Sequence, residues 1–265
     1  MLVFALLTIL TQVGGMIYLL TYAWNWWIER KIRRKRNAFG AKLGAFLLVY
    51  LLCSSVIIPP IARHFGRVPL PWGNGTLRPL RTLTCILNRH YVKPELRDLS
   101  LRVAKQMNPE GEGYLSYLDA GFPFFDGFPL LPHLSHNDGK KLDLSFCYSN
   151  PSTGKARFGS PSYFGYGVNT EPISGERDQP QICKKKGYWQ YGLLESISSQ
   201  WRKSSYVFDE ARTAQMVKLF CRETAIRKVF IEPHLMERMG LQDAKLRFHG
   251  CQAVRHDDHL HVEIR

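Results

Sequence analysis

His256-Asp-Asp-His259-Leu-His261-Val-Glu-Ile264 alternates from His259 onward, which is the period of a β-strand. His259 and His261 therefore point to one face. A second segment alternates in the same way: Lys141 to Tyr148 reads KLDLSFCY, with Asp143 near its start. It follows His133-Leu-Ser-His136-Asn-Asp-Gly139-Lys-Lys-Leu-Asp143, in which Gly139 lets the chain turn between His136 and the strand. Pairing the two strands brings two imidazoles and one carboxylate onto one metal ion. Two His and one carboxylate with an open fourth position is the donor set of a catalytic zinc. The remaining imidazoles are then free to act as base, acid or orienting group.

The chain holds nine His, and five of them fall in these two segments. The other four, His64, His90, His234 and His249, read as ordinary core or surface residues. Around the two strands the periodicity changes. Leu96, Leu99, Val103 and Met107 have helical spacing, with Pro94 and Glu95 at the expected helix start. Asp209 to Arg227 is the strongest helix, with Asp209 as N-cap and Ala214, Val217, Leu219, Phe220 and Ala225 as its apolar stripe. Lys228 to Ile231 reads as a short strand and Pro233 to Met239 as a short helix. Residues 119–134, dense in Phe, Pro and Gly, fit neither. Residues 149–188 form a long polar loop region, of the kind that is usually functional or disordered. The expected fold class is α+β, a small antiparallel sheet with flanking helices carrying a zinc site, preceded by two transmembrane helices.

The expectation of a membrane comes from charge. The 265 residues carry 36 Lys+Arg against 22 Asp+Glu, a net +14, yet residues 1–28 and 43–62 contain none of these four types. At 45% hydrophobic residues and six Cys, the composition excludes disordered, collagenous and small disulfide-scaffold classes. A hydrocarbon core of about 30 Å needs roughly 20 apolar residues as helix, and both runs are long enough. Trp24, Trp26 and Trp27 close the first run, where amphipathic rings favour the headgroup zone. A cleaved signal peptide is the competing reading of that run, but no basic leader or small-residue cleavage site is evident. Pro59 and Pro60 are expected to end the second.

Between the runs, residues 29–42 hold seven Lys or Arg against Glu29. Short loops this basic stay cytoplasmic, so both termini are expected outside. The organisation reads as transmembrane helix 1 (1–28), a basic cytoplasmic loop (29–42), transmembrane helix 2 (43–62), a linker along the membrane surface (63–80) and an extracytoplasmic domain (81–265). That domain carries the remaining +8, which suits an anionic polymer such as cell wall or lipid headgroups. A nucleic-acid partner rests on net charge alone and is set aside. Five Cys lie in the exported part, an odd number, so one at least stays free and the pairing is open.

The pattern His136-x6-Asp143 followed late in the chain by His259-x-His261 resembles the zinc metallopeptidases that include lysostaphin-type peptidases, D-alanyl-D-alanine peptidases and the hedgehog signalling domain. HDDHLHV (256–262), with His133 three residues before His136, is closest to the penicillin-insensitive murein endopeptidases, and KVFIEPHL (228–235) resembles the strand preceding their final motif. The resemblance covers roughly residues 119–265. It implies His136, Asp143 and His261 as Zn2+ ligands, His259 and His256 as catalytic residues beside the metal, and His133 in or just outside the ligand set.

By the same resemblance the activity is hydrolysis of amide bonds in peptidoglycan stem peptides, by an endopeptidase held in the cytoplasmic (inner) membrane with its domain on the periplasmic side. The alternatives are a D,D-carboxypeptidase of the same group and a non-catalytic, zinc-stabilised module that binds cell wall. Two departures stand out: that endopeptidase group is usually soluble and disulfide-rich, and the loop 149–188 has no counterpart.

Overall fold

The computed structural model describes residues 1–32 and 35–265. Arg33 and Arg34 of the basic loop lie outside the described residues. The chain opens with three short helices, α1 (Leu2–Thr11), α2 (Gly14–Leu20) and α3 (Tyr22–Lys31). The first apolar run is therefore not one spanning helix, which corrects the two-helix expectation. Gln12 adopts φ 64°, and the Thr11 hydroxyl accepts from Gly14 N at 2.8 Å. The chain reverses there, and α2 folds back on α1. Gly15 makes the reversal practicable: a Cβ on it would stand 2.0 Å from Thr8 Oγ1 and 2.7 Å from the Phe4 carbonyl. Apolar length alone does not reveal such a break. At 1.5 Å per residue, the ten residues of α1 reach about half of a hydrocarbon core.

One helix among the described residues is long and apolar enough to cross a membrane, the 30 residues Lys35–His64. It comprises α4 (Lys35–Leu52), a π-helical turn (Cys53–Ile57) and α5 (Ile58–His64). Pro59 and Pro60 do not end it. They occupy the opening positions of α5 directly after the π turn, where a helix has no use for the missing amide donors. Helices α2 and α3 run beside α4, with Tyr18 and Phe46 ring centroids 6.2 Å apart and Glu29 paired with Lys42.

Residues 63–80 are not a loose linker. They contain β1 (Val68–Pro69) and β2 (Leu77–Pro79), and Arg67, Leu70 and Leu77 are buried. The chain continues through α6 (Thr82–Ile86), β3 (Tyr91–Val92), α7 (Pro94–Met107), β4 (Leu115–Tyr117), β5 (Lys141–Ser145), β6 (Tyr148–Ser149) and β7 (Ala156–Arg157). Then follow α8 (Gln179–Lys185), α9 (Leu193–Ile197), β8 (Val207–Phe208), α10 (Glu210–Arg222), β9 (Ile226–Phe230), α11 (Pro233–Arg238), β10 (Leu246–Arg247) and β11 (His259–Ile264).

The main sheet has the order β10-β9-β11-β5-β4-β2. Its centre is antiparallel, but β10 runs parallel to β9 and β2 parallel to β4, so the sheet is mixed rather than antiparallel throughout. The β9–β10 crossover passes through α11, which a parallel neighbour requires. On β5 and β11 the register pairs Leu142 with Val262 and Leu144 with Leu260, all buried on one face. Leu96, Leu99 and Val103 of α7 and Val217 and Phe220 of α10 join these side chains in one core. Each such buried aliphatic or aromatic side chain is worth roughly 1.5–3 kcal/mol relative to exposure. Asp209 caps α10 by accepting from Arg212 N at 3.0 Å.

Candidate metal centre

The same register that sends the leucines to the core places His261 opposite Asp143 on the other face. His136 arrives from the loop before β5, which turns at Gly139 (φ 71°) and is held where Lys93 N donates to the Gly139 carbonyl at 2.8 Å. One donor atom from each of His136, Asp143 and His261 lies within 4.8 Å of the other two, and all three residues are buried. Asp143 Oδ1 is 2.8 Å from His261 Nδ1 and 3.2 Å from His136 Nε2, and these two nitrogens are 3.2 Å apart.

The surroundings fix which atoms face inward. His136 Nδ1 donates to the Ala120 carbonyl at 2.8 Å, which leaves the Nε2 lone pair toward the cluster. Tyr166 donates its hydroxyl to Asp143 Oδ2 at 2.8 Å, so Oδ1 is the remaining oxygen, buried and without a hydrogen-bond partner among the described residues. Three buried acceptor atoms facing one another fit a metal cation, because only a cation or added protons satisfies them together.

The other expected residues surround this set. His259 Nε2 lies 3.8 Å from Asp143 Oδ1, and its Nδ1 is bonded to the Asp258 carboxylate. The His256 ring centroid is 4.9 Å from that of His259 and 5.6 Å from that of His261. His133 Nδ1 lies 3.1 Å from Asp119 Oδ2 and 3.6 Å from Asp143 Oδ2, while its Nε2 is buried and unpartnered among the described residues.

The electrostatics separate the imidazoles. Burial opposes a charge on His259, but the carboxylates of Asp258 and Asp143 outweigh it and push the imidazole up to about 9. Burial, reinforced by His259 and His261, holds His256 well below the usual histidine range. Burial also brings His261 down to about 4. Asp143 is held well below the carboxylate range, because His136, His259 and His261 outweigh the cost of burying its charge.

Several partners carry no pattern in the sequence. Asp119 joins Arg89 (2.7 Å) to His133, and Tyr166 comes from the long loop 149–188. Arg255 donates to Asp257 at 3.0 Å, to Glu171 at 2.8 Å and to Glu195 at 3.1 Å, which ties the long loop and α9 to the HDDH segment. Asp258 lies within HDDH, and its place next to His259 is its one signal in the sequence. His249, expected to be ordinary, is exposed, yet its ring lies 5.1 Å from that of His256 and 6.1 Å from that of His261, at the rim of the cluster. His234 is buried with Nε2 donating to the Thr170 carbonyl at 2.8 Å, His90 is buried against Trp72, and His64 is exposed at the end of α5.

No protein-family model matches this chain, and no curated protein is similar enough to it to count as a relative.

Proposed function

We propose that this chain is a membrane-anchored, zinc-dependent peptidase that hydrolyses amide bonds in the stem peptides of peptidoglycan. The observation that supports it most is the convergence of His136, Asp143 and His261 with His256 and His259 packed beside them. Zinc held by the first three residues would polarise the scissile carbonyl and lower the pKa of a water toward neutrality. The protein's own groups then divide the proton work. His256, whose Nδ1 is buried without a hydrogen-bond partner among the described residues, is the side chain placed to accept a proton from the attacking water. His259, whose charged form Asp258 favours, stabilises the negative charge that develops on the carbonyl oxygen. Asp258 holds the His259 ring in place, and Tyr166 holds Asp143 to one inward oxygen.

The helix Lys35–His64 is the anchor in this reading. Arg30, Lys31, Lys35, Arg36 and Lys42 lie near its N-terminal end, which puts that end in the cytoplasm and the domain after His64 outside, where the cell wall is. Purified full-length protein in detergent is expected to hold about one zinc and to release stem fragments from isolated sacculi. Asp143→Ala is expected to lose the metal. Full zinc occupancy in that variant, by elemental analysis, overturns the ligand set. Intact sacculi with zinc-loaded wild-type protein overturn the peptidase.

A further inference from the structure

A groove of about 560 Å³ opens beside the cluster and shares Asp119, His133 and Tyr166 with it. Its far walls come from elsewhere in the chain: Leu83 and Leu87 of the α6 region, Tyr163 and Phe164 of the long loop, and Ile197 and Trp201 around α9. Leu83, Tyr163, Phe164, Ile197 and Trp201 are exposed. The volume lies within the range of a small-ligand site and accommodates a few residues of a peptide.

The charge of this groove is one-sided. Arg81, Arg89 and Arg202 line it, and the one acidic residue among its lining, Asp119, is already bound by Arg89 and His133. Arg81 is fixed by its Nε–H bond to the Tyr163 carbonyl at 2.7 Å and by its guanidinium 4.0 Å from the Tyr163 ring. Arg202 donates one amino group to Tyr206 Oη at 2.8 Å. Each guanidinium has five N–H donors, so both keep donors for a ligand. Arg89 Nε is buried with no partner among the described residues.

We infer that this groove binds a peptide that carries a free carboxylate, with Arg81 and Arg202 reading the carboxylate. The choice of a peptide rests on the peptidase reading of the neighbouring cluster. The groove itself supplies the charge preference, since guanidinium–carboxylate pairs are the geometric match for these donors.

The test separates binding from hydrolysis. Full-length protein in detergent is titrated calorimetrically with a synthetic stem tripeptide bearing free carboxylates, with its fully amidated twin, and with glycan strands stripped of peptide. The free acid is expected to bind at least tenfold tighter than the amide, and the difference is expected to shrink as salt is raised. Arg81→Gln and Arg202→Gln are each expected to weaken the free acid about tenfold and to leave the amide unchanged, while Arg202→Lys, which keeps the charge but not the planar fork, recovers only part of the affinity. Equal affinity for the two peptides, or tighter binding of the stripped glycan, overturns the inference. A protein that prefers the free acid but leaves sacculi intact upholds the groove and loses the peptidase. One that cleaves sacculi while ignoring the charge on the peptide does the reverse.

Discussion

His259 and His261 share one strand face, yet their neighbours give them different work. His261 Nδ1 points to Asp143 Oδ1 at 2.8 Å, whereas His259 turns Nδ1 to Asp258 and stands 3.8 Å from Asp143 through Nε2. His259→Ala is therefore expected to keep its zinc and to lose sacculus hydrolysis by about 10²–10⁴-fold. Zinc content and released stem fragments, measured on the same sample, check it. Hydrolysis at the wild-type rate would sink the role of His259 and leave the carbonyl oxygen to another group.

A pH effect belongs to a residue outside the cluster. Arg238 donates to Glu176 Oε1 at 2.7 Å and Oε2 at 2.6 Å, and these bonds hold the Glu176 carboxyl at about 2. A depressed folded-state pKa means stability that is complete above the unfolded value near 4.5 and lost as the pH falls toward 2. Glu176→Gln is expected to cost about 1 kcal/mol at neutral pH and nothing near pH 2. Denaturant titrations at several pH values check this, and a constant difference between the two proteins refutes it.

At the scale of elements, the cluster depends on two strands and the loops that lead into them. The register of β5 against β11 is set by the leucine and valine faces, because a slip of one residue would turn every core side chain outward. Asp143 and His261 meet as a consequence. The segment that enters β11 is fastened by Cys183–Cys251, which joins α8 to a point eight residues before His259 across a separation of 68 residues. Removing a link across a loop that long typically costs about 2–5 kcal/mol. Cys183→Ser with Cys251→Ser is expected to lower the stability by that amount and to leave the thiols of Cys85, Cys147 and Cys221 buried. Denaturation of the pair variant against wild type, under oxidising conditions, is the measurement. Equal stability would show that the rest of the fold already holds the segment.

Across the whole molecule, the end of the long helix is built into the loop that carries His133 and His136. Arg67 N donates to the Ala62 carbonyl at 2.9 Å, and the Arg67 side chain is completely buried. Its guanidinium donates to the Phe122 carbonyl, to Asp126 and to the Asn137 carbonyl, next to His136. Gly139 leaves room for it, since a Cβ there would stand 3.3 Å from Arg67 Nε. From the reversal between α1 and α2, Gln12 Oε1 accepts from Phe124 N at 2.8 Å in the same loop. Arg67→Met is expected to weaken zinc binding about tenfold, the scale on which groups supporting a ligand act. Chelator competition on the folded protein, beside a thermal melt, checks it. A lower melting temperature with unchanged zinc affinity would make Arg67 a stability residue only.

What the residues alone determined was local. Alternation at 259–264 fixed β11 and the shared face of His259 and His261, whereas the alternation read over 141–148 holds as β5 only to Ser145, Tyr148 starting β6 in a separate sheet. Helical spacing gave α7 and α10, because periods of 2 and 3.6 are written in the order of side chains. The two uncharged apolar runs predicted two spanning helices; the second lies within Lys35–His64, and the first is broken into shorter helices. The tertiary structure decided everything that depends on distant residues meeting. The reversal at Gln12 that breaks the first apolar run depends on Thr8 and Gly15 touching. The parallel edges of the sheet depend on crossovers. Asp119 and Tyr166 became partners of the cluster from two separate segments that have no period at all. A spacing can be read from neighbours in sequence, but a hydrogen bond across 23 residues, such as Tyr166 to Asp143, is set by how the backbone returns.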